Sequence, residues 1–333
     1  MERYKIIKQL GSGGMGQVYL AEDCRVGRKV AMKIIQPVNL SFGIEMEMLR
    51  DLKSELFPVI YDAWIEENRG IIIMEYVEGK TLQEYINARK ENEEEQNKED
   101  QNEEEQIEEE QIFEWGRQIA QFLKQIHNLH PKILYRDLKP ENIMVLPDKK
   151  LKIIDFGAAA IMERDKLNGG KRVGTYGYAS PEQWSGQMVD ERTDIFSMGA
   201  VILDMFRGSC EGIMGSDIRM IEQERYVPEG MKKIILKCLE SDAENRYASA
   251  EAFLKDWKSY KKAEQKSLIG FFFFYSVLIS CLIYAAYVIW CFPSKWKLWT
   301  LSISIYLGLK MGQTWYNSRK YSWVQVKSVW CRG

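Results

Sequence analysis

The stretch Tyr135-Arg136-Asp137-Leu138-Lys139-Pro140-Glu141-Asn142, followed after two apolar runs by Asp155-Phe156-Gly157, decides how this chain is read. It gathers a carboxylate, a lysine and two further oxygen donors in one short interval. Phosphoryl transfer asks a protein for that set: a group to take a proton, a cation to face a phosphate, and hard oxygen ligands for a metal ion. The apolar runs Ile143-Met144-Val145 and Leu151 to Ile154 predict two short buried strands that carry the charged residues in loops at their ends. A plain turn rich in Asp, Asn and Pro does not require this order of residues.

Upstream, Gly11-Ser12-Gly13-Gly14-Met15-Gly16-Gln17-Val18 has the form Gly-x-Gly-x-x-Gly-x-Val, between the strand-like Tyr4-Lys5-Ile6-Ile7 and Val18-Tyr19-Leu20-Ala21. Glycines admit positive φ and close backbone approach, so backbone N–H groups can cover phosphates. A dinucleotide-binding turn would open a helix directly after the glycines. The β-branched and aromatic residues from Val18 onward read instead as the return strand of a hairpin. Next, Val30-Ala31-Met32-Lys33-Ile34-Ile35 is an apolar strand interrupted by one lysine, which in isolation fits a solvent-facing edge as well as a ligand site. Met48, Leu49 and Leu52 recur at helical spacing with acids on the other side.

Together these segments resemble the eukaryotic-type serine/threonine protein kinases, of the kind found as membrane-anchored enzymes in bacteria, over residues 4 to about 260. Met74-Glu75-Tyr76-Val77 resembles the strand end and hinge that hold adenine. Gly174-Thr175-Tyr176-Gly177-Tyr178-Ala179-Ser180-Pro181-Glu182 resembles the substrate-docking loop and its closing glutamate, and Asp194 to Gly199 the start of the central buried helix. The resemblance implies an α+β, two-lobed fold: a β-rich N-lobe over 1–78 and a helical C-lobe over 79–260. It implies ATP with Mg2+, or Mn2+ in its place, and protein substrates with Ser or Thr acceptors. It makes Asp137 the base, Lys139 and Thr175 its companions, Asn142 and Asp155 the metal ligands, and Lys33 the phosphate-facing lysine. Glu45 is the implied partner of Lys33, with Glu47 as the alternative; either acid also fits a solvated helix face. The nucleotide site it implies comprises Leu10, Gly11, Ser12, Gly13, Gly14, Met15, Gly16, Val18, Ala31, Lys33, Met74, Glu75 and Val77. Arg246 falls where the family pairs an arginine with the glutamate that is Glu182 here.

The departures from the pattern are specific. Tyr135 replaces the usual histidine, at a position whose implied role is packing. Ser180 replaces an alanine and Ala243 a proline. Between Asp155 and Glu182 the hydroxyls are Thr175, Tyr176, Tyr178 and Ser180, all at the docking end. With no acceptor in the middle of that segment, Glu163 or Asp165 is expected to supply the charge facing Arg136 that phosphorylation supplies elsewhere, or the enzyme is switched by association.

Hydrophobic residues make up 46% of the 333, enough for a substantial core. Six scattered cysteines without a CxxC pair and only two histidines point away from a zinc site or a disulfide framework. Met1 leads straight into charged residues, so no signal peptide is expected. The net charge of −2 conceals a low-complexity insertion expected over 88–112, whose residues 92–111 hold eleven acids and one lysine. Like charges at i and i+4 repel on a helix, so this interval is expected to be solvated.

Residues 268–292 carry no charge, and as a helix they would run about 37 Å, more than the roughly 30 Å of a hydrocarbon layer. A transmembrane helix is expected there, after a basic linker at 261–267. Lysines and arginines before the span place the catalytic part on the cytoplasmic side. After it, residues 293–333 contain no acid and seven bases. A second membrane segment over 298–316, with Lys310 snorkelling, would return the basic tail 317–333 to the cytoplasm; a single span is the alternative. With either topology a large outer domain is not expected. Lipid contacts and a homodimer are expected, and nucleic acid is not, because the excess positive charge lies beside the membrane segments. The competing reading of the whole chain is a membrane-bound pseudokinase or scaffold that uses the fold only to bind.

Overall fold

The computed structural model describes residues 3–13, 16–38, 42, 46, 54–94, 107–162, 174–213, 227–291, 306 and 310. It divides into two compact units, Met1–Trp257 and Lys258–Gly333.

The first unit opens with an antiparallel five-stranded sheet of order β1-β2-β3-β5-β4. Its strands are β1 (Tyr4–Gly13), β2 (Gly16–Asp23), β3 (Arg28–Ile35), β4 (Ile60–Glu66) and β5 (Arg69–Glu75). The glycine-rich segment is thus the tip of the β1–β2 hairpin, as its flanking residues predict. Glu67 and Asn68, with φ of 44° and 64°, make the tight β4–β5 turn, a conformation that suits the right-handed twist of the flanking strands. Strand alternation sorts the side chains. Ala21, Val30, Met32, Ile71 and Ile73 form one buried cluster beneath Tyr19, Tyr61 and Trp64. On the other face β3 pairs Ala31 with Met74 and Lys33 with Ile72, while Val18 of β2 lies opposite Lys33.

The helical part begins with β6 (Lys80–Thr81) and α1 (Leu82–Glu94). A capping box starts α1: Glu84 N–H donates to the Thr81 hydroxyl at 3.2 Å, and Thr81 N–H donates to the Glu84 carboxylate at 2.6 Å. Helix α2 (Glu109–His127) is amphipathic, with Glu109 and Glu110 in its first turn and Lys124 and His127 in its last, matching the helix dipole. Both helices reach into the interval that reads as an acidic insertion, and Ile107 and Ile112 are buried; positions 95–106 lie outside the described residues.

Short strands β7 (Lys132–Leu134), β8 (Ile143–Val145), β9 (Leu151–Ile153) and β10 (Ala160–Met162) bracket the decisive stretch, β6-β8-β9 forming one small sheet and β10-β7 another. After them come α3 (Pro181–Trp184), α4 (Arg192–Arg207), α5 (Glu229–Cys238) and α6 (Ala250–Cys291). Helix α4 is buried from Thr193 to Phe206 and stops at Gly208, whose left-handed φ of 71° closes its C-terminus. Within the first unit, Trp257 stacks on Phe113 at 5.0 Å and on Phe253 at 5.1 Å, burial worth about 2 kcal/mol or more per ring.

In the second unit Ile279, Leu282, Ile283, Tyr284, Tyr287 and Trp290 of α6 are exposed. Among the described residues no helix is long and apolar enough to cross a membrane. The side chains of 267–274, and nearly all of 292–333, including the expected second segment and basic tail, lie outside the described residues.

Candidate active site

Loop Tyr135–Asn142 hangs between β7 and a 3-10 turn at Pro140–Asn142 that leads into β8. Its backbone is anchored from below by Asp194 in the first turn of α4. Asp194 accepts Tyr135 N–H at 2.8 Å on Oδ2 and Arg136 N–H at 2.7 Å on Oδ1, and His127 Nε2 lies 2.8 Å from Oδ2. Asp194 and His127 are buried. Neither stood out as a site residue from sequence; the available clue was a histidine four residues after Leu123 on the apolar face of α2.

Four of the expected side chains converge above that anchor. Thr175 Oγ1 donates to Asp137 Oδ1 at 2.8 Å and accepts from Lys139 Nζ at 2.8 Å. Lys139 Nζ lies 3.5 Å from Asp137 Oδ2. Asn142 Nδ2 donates to the Asp137 backbone oxygen at 2.9 Å and to Oδ2 at 3.1 Å. With its amide nitrogen so committed, Asn142 keeps its Oδ1 as a neutral oxygen donor. Asp155 Oδ1 accepts from Lys33 Nζ at 3.0 Å and from Gly157 N–H at 2.9 Å. Among the described residues nothing is bonded to Asp155 Oδ2. Glu45 and its alternative Glu47 lie outside the described residues, as do Gly14, Met15, Glu163 and Asp165.

The donor set fits a hard divalent ion. Asp155 and Asn142 offer one carboxylate and one amide oxygen, and Mg2+ is typically held by one or two such groups plus substrate phosphates. The β hairpin fits a nucleotide in a comparable way. Gly16 has φ +133° and sits so close to β3 that a Cβ would fall 2.5 Å from the Ile34 oxygen, so the protein itself requires that glycine. Gly11 has nothing within 4 Å of its Cβ position, leaving its open side for a ligand. Val18, Ala31, Lys33 and Met74 share the sheet face beside it. Leu10 is exposed on β1. Glu75 ends β5, where its carboxylate pairs with Lys152 and accepts Val59 N–H at 3.1 Å, and Val77 follows in the linker to β6.

Packing around the site explains the sequence departures. Tyr135 is fully buried, edge-on to Phe156 at 5.3 Å and to Phe122 at 5.8 Å. Burial, reinforced by the nearby Asp155 and Asp137 carboxylates, pushes its phenol well above the usual range, so it stays protonated. Ser180 caps α3, accepting Gln183 N–H at 3.4 Å, which an alanine could not do. Glu182 and Arg246 form a two-pronged ion pair at 2.7 and 2.8 Å. Burial alone would raise the Glu182 carboxyl, but the Arg246 guanidinium outweighs it and holds the carboxyl below its ordinary value.

Comparison with known proteins places this arrangement. The protein kinase domain family matches residues 4–258. The chain is 34% identical over 279 residues to a Clostridium acetobutylicum protein named "Probable serine/threonine-protein kinase", covering 78% of this chain and 40% of that one. It is 31% identical over 287 residues to serine/threonine-protein kinase PrkC of Bacillus subtilis, covering 79% and 41%. It is 29% identical over 280 residues to serine/threonine-protein kinase PknB of Mycobacterium leprae, covering 77% and 42%. The match therefore spans about two fifths of the length of these relatives.

Proposed function

The chain belongs to the protein kinase domain family, and from that membership we propose that it transfers the γ-phosphoryl group of ATP to serine or threonine hydroxyls of proteins. The observation that carries the reading is the convergence of Asp137, Lys139, Thr175 and Asn142 in one hydrogen-bonded cluster. Asp137 accepts the proton of the attacking hydroxyl. Lys139, tied to both Thr175 and Asp137, offers positive charge where the transferred phosphoryl gains negative charge. Asn142 and Asp155 would hold Mg2+, which supplies charge neutralisation across the phosphates when bound. Lys33 moves from Asp155 toward the nucleotide, and Gly11 to Gly16 close over the phosphates. Little covalent work falls to the protein; positioning and electrostatics account for the rate. Purified chain incubated with Mg·ATP and a mixed serine/threonine substrate should incorporate phosphate, and Asp137→Asn should abolish it. Equal incorporation by both forms overturns the assignment.

The same reading places the enzyme at a membrane, with the kinase part cytoplasmic. Its support is the uncharged run 268–292, within which Ile279, Leu282, Ile283 and Tyr287 of α6 are exposed, and the bases that flank the run. A second segment over 298–316 and contact of the 317–333 tail with anionic headgroups complete the proposal. Single cysteines introduced near position 325 should be labelled only from the cytoplasmic side; labelling only from outside overturns the two-segment topology.

A further inference from the structure

Arg136, immediately before Asp137, has φ +66°, a left-handed conformation that costs a non-glycine residue about 1–2 kcal/mol. Such a conformation persists where its surroundings over-determine it. Here the Arg136 N–H goes to Asp194 at 2.7 Å, and the guanidinium Nε goes to the Ala158 oxygen at 2.7 Å. Its carbonyl oxygen accepts from Gln183 Nε2 at 2.6 Å. Among the described residues no other donor reaches that oxygen. The Arg136 carbonyl and the Asp137 N–H belong to one rigid peptide plane. Rotation of this plane changes ψ of Arg136 and φ of Asp137 together, so a plane held by a bond to its oxygen also restrains the backbone that presents the Asp137 carboxylate to Thr175 and Lys139.

Gln183 is suited to hold that plane. It is buried on α3, whose first turn is fixed by the Ser180 cap and by the Glu182–Arg246 pair. Gly174 makes the bond possible. At φ +115°, a Cβ there would sit 2.6 Å from Gln183 Nε2 and 3.2 Å from the Arg136 oxygen. The two ends of the loop that carries Thr175 therefore meet at the peptide that presents the base.

We propose that Gln183 is a positioning residue for Asp137, orienting the base through the Arg136 carbonyl and coupling it to the loop from Gly174 to Glu182. The inference rests on Asp137 being the base. Gln183→Leu keeps the volume and removes the donor; kcat should fall about tenfold, as expected for roughly one hydrogen bond. The KM for ATP and the calorimetric nucleotide affinity should stay near wild type, while the Tm falls by a few degrees because the Arg136 carbonyl loses its donor. Gln183→Glu adds a pH readout, because only the protonated carboxyl can donate to the carbonyl. Its activity relative to wild type should rise as the pH falls, while that of Gln183→Leu stays flat. Wild-type kcat in the leucine variant, or a flat ratio for the glutamate variant, overturns the proposal. So does a parallel loss of kcat and nucleotide affinity. Asp137→Asn run alongside separates the two readings: if it remains active the base assignment fails, whereas if it is dead and Gln183→Leu is normal only this inference fails.

Discussion

The Thr175 hydroxyl stands between Asp137 and Lys139, donating to the carboxylate and accepting from the ammonium at 2.8 Å each. It thereby ties Asp137 to Lys139, whose Nζ also lies 3.5 Å from Asp137 Oδ2, and fixes the pair proposed as base and companion cation. Thr175→Val keeps the shape and removes both bonds. We expect kcat to drop roughly 10- to 100-fold, the loss of one or two charge-assisted hydrogen bonds. Thr175→Ser should retain most of the activity. Steady-state kinetics at saturating ATP, with melting temperatures as a control for folding, will check this.

Gly16 and Gly11 predict opposite outcomes from the same substitution. Gly16→Ala forces a side chain into φ +133° and toward the Ile34 oxygen, so the sheet itself must give. A loss of about 2 kcal/mol or more in urea unfolding is expected. Gly11→Ala meets open space, so stability should hold while nucleotide affinity falls. Fluorescent-nucleotide titration beside a denaturation curve distinguishes the pair.

Local pattern made much of this architecture legible. The hairpin over Tyr4–Asp23 follows from residue types on either side of the glycines, and Asp137, Lys139 and Asn142 meet in one hydrogen-bonded group, while Asp155, just past the short β9, bonds to Lys33. Burial of Ile107 and Ile112 was hidden by the acids around them, since a net charge says nothing of which face a lone isoleucine takes. The Asp194 anchor was equally hidden. Its partners are backbone N–H groups at Tyr135 and Arg136, and backbone groups leave no mark on side-chain patterning. The Lys33–Asp155 pair joins the β sheet to the loop after β9, a contact that depends on how those parts close.

Breaking the Glu182–Arg246 pair should be costly. The Arg246 side chain is wholly buried and also donates to the Glu240, Arg192 and Ser241 oxygens. Arg246→Ala leaves the Glu182 carboxylate buried without its cation, which typically costs about 3–5 kcal/mol. Because Glu182 is held below its ordinary value, its contribution is present above the unfolded carboxylate range and is lost as the pH falls through the folded value. Arg246→Ala should therefore show its largest deficit at neutral pH and a smaller one in acid. Urea midpoints measured at several pH values give the test.

Asp204 should behave in the opposite sense. It is buried in α4, accepting the Tyr178 hydroxyl at 2.6 Å and Gly212 N–H at 3.2 Å, with its Oδ1 unbonded among the described residues. Burial pushes its carboxyl up to about 7, although Tyr178 and Gly212 pull the other way. The folded protein then binds a proton that the unfolded chain has already released near its ordinary value. Stability from this group is complete below the unfolded value and drains away as the pH rises toward 7. Asp204→Asn keeps an acceptor for Tyr178 and Gly212 without the charge. The variant should match wild type near pH 4 and exceed it increasingly above that, by a few kcal/mol near pH 8, because each pH unit between the unfolded and folded values is worth about 1.4 kcal/mol. Melting temperatures of both forms from about pH 4 to about 8.5 provide the check, and a constant difference across that range would remove Asp204 as the titrating group.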